Sequence, residues 1–281
     1  MNYQTVLSEA TRILKGKLIK NPKLDSEILL SNTLNIEREK LLINLNQEIN
    51  NEDLKNFNNL IKRRKKKEPI AYIIGYKEFW KKKFKVNNNV LIPRPDTEHI
   101  VEEVLKFIPN NLSMNILDIG TGSGCIILSI LCERNKCYGV ALDISKKALN
   151  VAKYNAKIQH IKNRIKFVNS DIDKFKLGTY DVIVSNPPYI KNYEIDYLEE
   201  DIKFFEPKIA LNGGIDGYSK IKSIINRCTI LIKKNGKLFL EVGNDQMNQT
   251  TRILNNKGFI INKIVKDLAK ITDVLYLPKF R

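Results

Sequence analysis

Apolar residues recur along this chain at two different periods, and the change of period divides it. Val6, Leu7, Ala10, Ile13 and Leu14 lie three and four positions apart, the spacing of one helix face, and Gly16 marks the stop. Leu24, Ile28, Leu29 and Leu34 repeat the pattern, and Ile36 to Leu45 continues it in shorter pieces. Leu54, Phe57, Leu60 and Ile61 carry a further helix, with Asn50 or Asn51 as its cap. Residues 1–68 are therefore expected to form a small all-α domain, ended by Pro69. From Ile70 the pattern shortens. Tyr72-Ile73-Ile74-Gly75, Phe79-Trp80 and Phe84 to Val86, then Asn87 to Asn89 as a turn before Val90 to Ile92, predict a β-hairpin linker over residues 69–92.

After the stiff elbow Pro93-Arg94-Pro95, short apolar runs alternate with helical patterns to the end of the chain. Asp96 or Thr97 is placed to cap a helix through Ile100, Val101, Val104 and Leu105. Strands are predicted at Asn115 to Asp118, Tyr138 to Leu142, Ile165 to Val168, Asp181 to Ser185 and Lys237 to Val242. Between them fall helices at Ile126 to Leu131, at Ala148 to Ala156 with Ser145 as cap, and over 218–233; a further helix and two strands close the chain. That alternation is the signature of an open, mostly parallel α/β sheet over residues 93–281.

Two strand ends carry candidate chemistry. The run Asp181 to Ser185 stops at Asn186, Pro187, Pro188 and Tyr189. Neither proline has an N–H, and a residue before proline is held extended, so the carbonyls just past the strand have no ladder to join. An amide side chain, free backbone acceptors and an aromatic face suit a planar NH2 group: Asn186 Oδ1 and the Pro187 carbonyl can accept its two hydrogens, and Tyr189 can stack on its plane. The plainer alternative is a rigid turn. The second motif, Gly120-Thr121-Gly122-Ser123-Gly124, sits between a strand and a helix, where glycines let backbone approach a ligand and a helix N-terminus offers N–H groups. It lacks the Gly-x-Gly-x-x-Gly spacing of a dinucleotide site and the Gly-Lys-Ser/Thr ending of a phosphate loop. Asp143, at the end of the next strand, can take both hydroxyls of a ribose. Together these point to a nucleoside without a pyrophosphate, S-adenosylmethionine. Asp171 can accept from an adenine amino group and Ile172 can cover the ring, although a simple turn aspartate is the competing reading.

Composition changes little of this. The chain of 281 residues has a net charge of +17, but the excess is spread: 19 basic against 10 acidic residues up to Ile92, and 29 against 21 beyond it. Lysine, asparagine and isoleucine are abundant throughout, the drift of an AT-rich genome, so a nucleic-acid partner is not obligatory; the basic runs Lys62 to Lys67 and Lys81 to Lys85 read as solvated faces. No apolar run reaches membrane-spanning length, and the amphipathic start with Glu9 is unlike a signal peptide. A cytoplasmic monomer without membrane contact is expected. Four cysteines without a Cys-x-x-Cys pair and two histidines suggest neither disulfides nor a metal site.

The two motifs together resemble those of amino-methyltransferases, including DNA adenine and ribosomal RNA guanine enzymes. The remaining features are similar to one branch, the peptide chain release factor N5-glutamine methyltransferases (the PrmC/HemK family): Tyr72-Ile73-Ile74-Gly75, Leu91 to Glu98, Phe205-Glu206-Pro207 with Ala210-Leu211 and Gly213-Gly214, and Glu241-Val242-Gly243 with Gln246. The resemblance covers essentially the whole chain. It implies a seven-stranded Rossmann-like methyltransferase sheet, an N-terminal substrate-recognition domain, and a target glutamine in the Gly-Gly-Gln tip of class I release factors. It also implies that Gly120 to Gly124, Asp143, Ile172 and Asn186 hold the cofactor, and that Asn186 to Tyr189 hold the substrate amide. Where the family has an Asp, a Gly and an Arg near the end, this chain reads Asp267-Leu268-Ala269-Lys270-Ile271-Thr272-Asp273, which bears on the last hairpin.

Overall fold

Apolar helix faces build the first unit of the computed structural model, which describes residues 1–266 and 272–278. The unit comprises Met1–Tyr76 together with Glu199–Phe205. Its helices are α1 (Tyr3–Lys15), α2 (Pro22–Leu34), α3 (Arg38–Ile43), α4 (Asn51–Lys65) and α5 (Ile70–Ile74). Asn2 and Asn50 cap α1 and α4, accepting from Thr5 N and Asp53 N at 3.0 and 2.8 Å. Leu7, Ala10 and Leu14 meet Leu29, Leu30, Leu41, Phe57 and Ile61 in one core, whereas Ile13 turns to solvent. Arg64 lies buried against Asp25 at 2.7 Å; burial raises the Asp25 carboxyl and the guanidinium opposes it.

The linker differs from its sequence pattern. Ile70–Ile74 is a short helix packed on the helical core, closed by Gly75 at φ 84°. The hairpin is β1 (Tyr76–Phe79) and β2 (Lys82–Lys85), and it turns at Trp80 and Lys81, both at positive φ; Asn87 to Asn89 do form a turn, closed by Val90 N on the Asn87 carbonyl at 3.1 Å, but it joins no strands. Val90 to Ile92 form no strand. Burial decides this: Phe79 and Phe84 meet edge to face at 6.1 Å inside the core, and the carboxylate of Glu98 takes the Trp80 N–H at 2.8 Å.

The second unit, Lys77–Leu198 with Glu206–Arg281, continues through α6 (Glu98–Phe107), β3 (Asn115–Ile119), α7 (Cys125–Glu133), β4 (Tyr138–Asp143), α8 (Lys146–Ile158), β5 (Ile165–Asn169) and β6 (Tyr180–Ser185). After α9 (Glu200–Phe205), which belongs to the first unit, come α10 (Ser219–Leu231), β7 (Ile232–Gly243), α11 (Met247–Asn256), β8 (Lys263–Lys266) and β9 (Thr272–Pro278). In the first unit, Glu199 and Glu200 pair with Lys20 and Lys67 at 3.4 and 2.6 Å. Helix α10 stops two residues short of the predicted 233 because β7 begins early: Ile232 pairs with Tyr180 and Lys237 with Val182, and a register shift takes up the polar stretch between. The seven strands run in the order β5-β4-β3-β6-β7-β9-β8; β9 alone is antiparallel to its neighbours. Asp267 to Ile271, in the stretch that departs from the family pattern, lie outside the described residues. Among the described residues no helix is long and apolar enough to cross a membrane.

Register places the chemistry. Ile119 pairs with Leu142 on one side and with Ser185 on the other, so β3, β4 and β6 end together at one sheet edge. The chain leaves β3 in one direction and returns as β6 on the opposite side, the switch point at which open α/β sheets bind ligands.

Candidate active site

The loop after β3 is folded back onto β4: Gly120 N and Thr121 N both donate to the Leu142 carbonyl, at 2.9 and 3.0 Å. Gly120, Gly122 and Gly124 all have positive φ, yet their surroundings differ. A Cβ on Gly120 or Gly122 would meet nothing closer than the Gly120 carbonyl at 4.0 Å, whereas one on Gly124 would lie 2.9 Å from Leu128 Cδ1 and 3.3 Å from Ala152 Cβ. Gly120 to Ser123 line a cavity at the sheet edge; Gly124 does not, and instead lets α7 pack on α8.

Asp143 faces the same cavity. Its Oδ2 accepts from Gly122 N at 2.9 Å and its Oδ1 from Ser145 N at 2.8 Å, which fixes the carboxylate and leaves each oxygen a free lone pair. Burial raises its pKa, and the two N–H groups oppose the rise. Ile172 contributes an apolar wall, while the Asp171 side chain is engaged by Asp173 N at 2.9 Å. Beneath the loop, Asp118 is buried with Thr121 Oγ1 donating to its Oδ2 at 2.7 Å; burial pushes its pKa up to about 7.

Asn186, Pro187 and Pro188 form the facing wall. Asn186 Nδ2 donates to Thr97 Oγ1 at 3.1 Å, which leaves Oδ1 unengaged. No hydrogen bond from the described residues reaches the Pro187 carbonyl. Tyr189 does not line the cavity: its ring packs against the core beside Gly243, and its carbonyl accepts from Gln246 Nε2 at 2.9 Å. Gln246 also donates to the Gly217 carbonyl at 3.2 Å. Gly213 N donates to the Ile190 carbonyl at 2.8 Å, and a Cβ on Gly213 would stand 2.8 Å from Tyr189. The loop after Tyr189 is thereby held by three hydrogen bonds.

Four buried polar residues, Thr97, Glu206, Glu241 and Asn155, complete the site, and the sequence reading gave none of them a role in it. Thr97 caps no helix; a short 3-10 turn precedes α6, and its hydroxyl faces Asn186 and Glu241 instead. Glu206 binds Arg94 at 2.6 Å and Ile92 N at 3.1 Å, anchoring the elbow that roofs the cavity. Glu241, at 2% exposure on β7, is raised to about 7 by burial, opposed by the Thr97 and Asn186 side chains that face it, and its Oε2 has no hydrogen-bond partner among the described residues. Asn155 ties Lys85 N and O and the Ser123 carbonyl together at 2.8 to 3.1 Å, linking the hairpin to the glycine loop. Polar side chains inside apolar runs give no periodic signal; the proline elbow, Phe205-Glu206-Pro207 and Glu241-Val242-Gly243 hinted at three of them, and nothing hinted at Asn155.

Comparison with known proteins agrees with the geometry. Residues 5–75 match the PrmC N-terminal domain and residues 101–202 the methyltransferase small domain. The chain is 38% identical over 278 residues to the release factor glutamine methyltransferase of Clostridium acetobutylicum, covering 98% of each protein. To that of Caulobacter vibrioides it is 35% identical, over 91% of this chain and 89% of the other. It is also 39% identical to a bifunctional methyltransferase of Rickettsia prowazekii, of which it spans 57%. Among solved structures, a methyltransferase from Pyrococcus furiosus shares the fold with a TM-score of 0.52 at 19% identity, over 69% of this chain and 87% of that one.

Proposed function

Because the chain belongs to the release factor glutamine methyltransferase family, we propose that it methylates the side-chain amide nitrogen of the glutamine in the Gly-Gly-Gln tip of class I peptide chain release factors. The observation that carries this reading is the pair of unengaged acceptors, Asn186 Oδ1 and the Pro187 carbonyl, facing a glycine cradle across one cavity. Two acceptors on a stiff turn match the two hydrogens of a planar NH2 group, and the family to which the chain belongs favours a primary carboxamide over a base amino group.

S-adenosylmethionine fits the cradle by chemistry. Gly120 and Gly122 leave backbone open where a side chain would intrude, Asp143 keeps two lone pairs for ribose hydroxyls, and Ile172 offers a face to adenine. When bound, this cofactor supplies a methyl group on a positively charged sulfur. Gly120 to Ser123 and Asp143 would hold it; Gly124 acts behind them, through α7.

A carboxamide nitrogen is a poor nucleophile because its lone pair is delocalised into the carbonyl. Asn186 and Pro187 accept both N–H groups, fix the nitrogen's direction and favour positive charge developing there, so that the C–N bond would form as the methyl's bond to sulfur breaks and leaves its electron pair on a neutral thioether. The cationic amide is strongly acidic and releases its proton to water, so no side-chain base is needed. Tyr189 acts by holding the turn. The helical unit, which matches the PrmC N-terminal domain, is assigned to recognition of the protein substrate.

Incubation with labelled S-adenosylmethionine and a release factor, DNA or ribosomal RNA tests the assignment. Label is expected in the release factor glutamine alone. Asn186→Ala should lower single-turnover methylation at least tenfold with little change in cofactor affinity, and an unchanged rate would remove the proposed role.

A further inference from the structure

An asparagine that must accept a hydrogen bond has a difficulty: its amide can turn over and present NH2 instead, and NH2 repels the NH2 of a carboxamide. Something has to decide which end faces the cavity. Here Nδ2 is turned to Thr97 Oγ1, but a hydroxyl donates as readily as it accepts and cannot by itself hold that choice.

The choice is made one step further in. Glu241 sits on β7 at 2% exposure with its Oε2 buried and without a hydrogen-bond partner among the described residues, and the Thr97 and Asn186 side chains face its carboxylate and favour its charge. A carboxylate only accepts, so the Thr97 hydrogen points to Glu241, the Thr97 lone pairs point to Asn186, and Nδ2 is the only end of the amide that can meet them. We propose that Glu241 and Thr97 are positioning residues which commit the Asn186 amide to a single orientation, with Oδ1 toward the substrate. This rests on the methyl-transfer reading above and deepens it.

Protonation should undo the device. A neutral Glu241 can donate to Thr97, whose hydrogen is then released toward Asn186, and the amide gains a second orientation. The groups around Glu241 tune where this happens: Asp96 raises its pKa, Arg94 lowers it, and the buried Cys125 thiol at the start of α7 is itself raised in part by Glu241. Arg94 is already paired with Glu206, which fixes its position. The result is a transfer step that weakens as pH falls, through a residue that touches no substrate.

The test uses the full-length protein with saturating S-adenosylmethionine and a release factor, in single turnover across pH. Wild type is expected to show an acidic limb. Glu241→Gln, whose amide can donate to Thr97, should be at least tenfold slower at high pH with the limb due to this group gone and cofactor affinity within threefold. Thr97→Val should lose rate likewise, and Thr97→Ser should regain it, which a purely structural role of the methyl would not produce. A Glu241→Gln enzyme of wild-type rate, or one with the limb unaltered, overturns the proposal, as does full activity in Thr97→Val.

A substrate-free measurement separates this from the functional reading. The side-chain 15N resonance of Asn186, identified by its loss in Asn186→Ala, should titrate in wild type and not in Glu241→Gln. If no release factor is methylated by wild type, the functional reading fails and this resonance alone decides: a titration supports the network, and its absence sinks it.

Discussion

Gly122 and Gly124 share a loop and a left-handed backbone, at φ 56° and 81°, but their replacement by alanine should fail in opposite ways. Forcing alanine into that region costs about 1 kcal/mol at either position. At Gly124 the added methyl also stands 2.9 Å from Leu128 Cδ1 and 3.3 Å from Ala152 Cβ, and Leu128 is fully buried with nowhere to go. Overpacking of that kind adds about 1–3 kcal/mol, so Gly124→Ala should lose roughly 2–4 kcal/mol in all. For a domain of this size that lowers Tm by roughly 5–15 °C. At Gly122 the methyl meets no protein atom and stands in the cavity wall, so Tm should fall by only a few degrees while S-adenosylmethionine affinity drops tenfold or more. Thermal melts and calorimetric titration on both variants read the two quantities separately, and one fixed cofactor concentration should raise the Tm of Gly124→Ala by more than that of Gly122→Ala. Wild-type affinity in Gly122→Ala, or wild-type stability in Gly124→Ala, would refute the division of labour.

Asp118 gives a pH signature of stability: its folded pKa of about 7 lies above the usual 3.8, so the folded state holds a proton the unfolded chain has lost, and stability should decline from about pH 4 to about pH 7. The slope amounts to about 4 kcal/mol at most, and denaturant titrations of Asp118→Asn should lack this component. Asp143, also raised by burial, must be ionised to take ribose hydroxyls; cofactor affinity should therefore weaken as pH drops through its pKa, and Asp143→Ala should bind far more weakly at any pH, as calorimetry would register. Asn155→Ala strands a buried N–H and two carbonyls and should cost about 2–3 kcal/mol in urea unfolding.

The strands that carry the site were legible because each ends in a residue that breaks the apolar run: Asp118 before the glycines, Asp143, and Asn186 before two prolines. Period and punctuation agreed there. They disagreed at Ile70 to Ile74, where a β-branched run that looks like a strand is too short to pair and is drawn into helix by the packing of Ile73 on the helical core. They were silent at Trp80-Lys81, a turn whose residues have no preference for positive φ and which is imposed by the burial of Phe79 and Phe84. Thr97 was read from local chemistry as a cap, while its true partners lie 89 residues away at Asn186 and on β7. Contacts of that separation leave no periodic trace in one sequence. Ile13 shows the converse, an apolar residue in perfect helical spacing that faces solvent.

The helical unit is not a detachable prefix. Glu199–Phe205, although encoded far downstream, is counted with it and holds Lys20 and Lys67 through Glu199 and Glu200. Recombination that exchanged N-terminal halves between relatives would carry one share of this module and leave seven residues of the other parent behind, so compatible pairs must co-evolve across the gap. Anyone building chimaeras that exchange this unit therefore has two segments to transplant, not one.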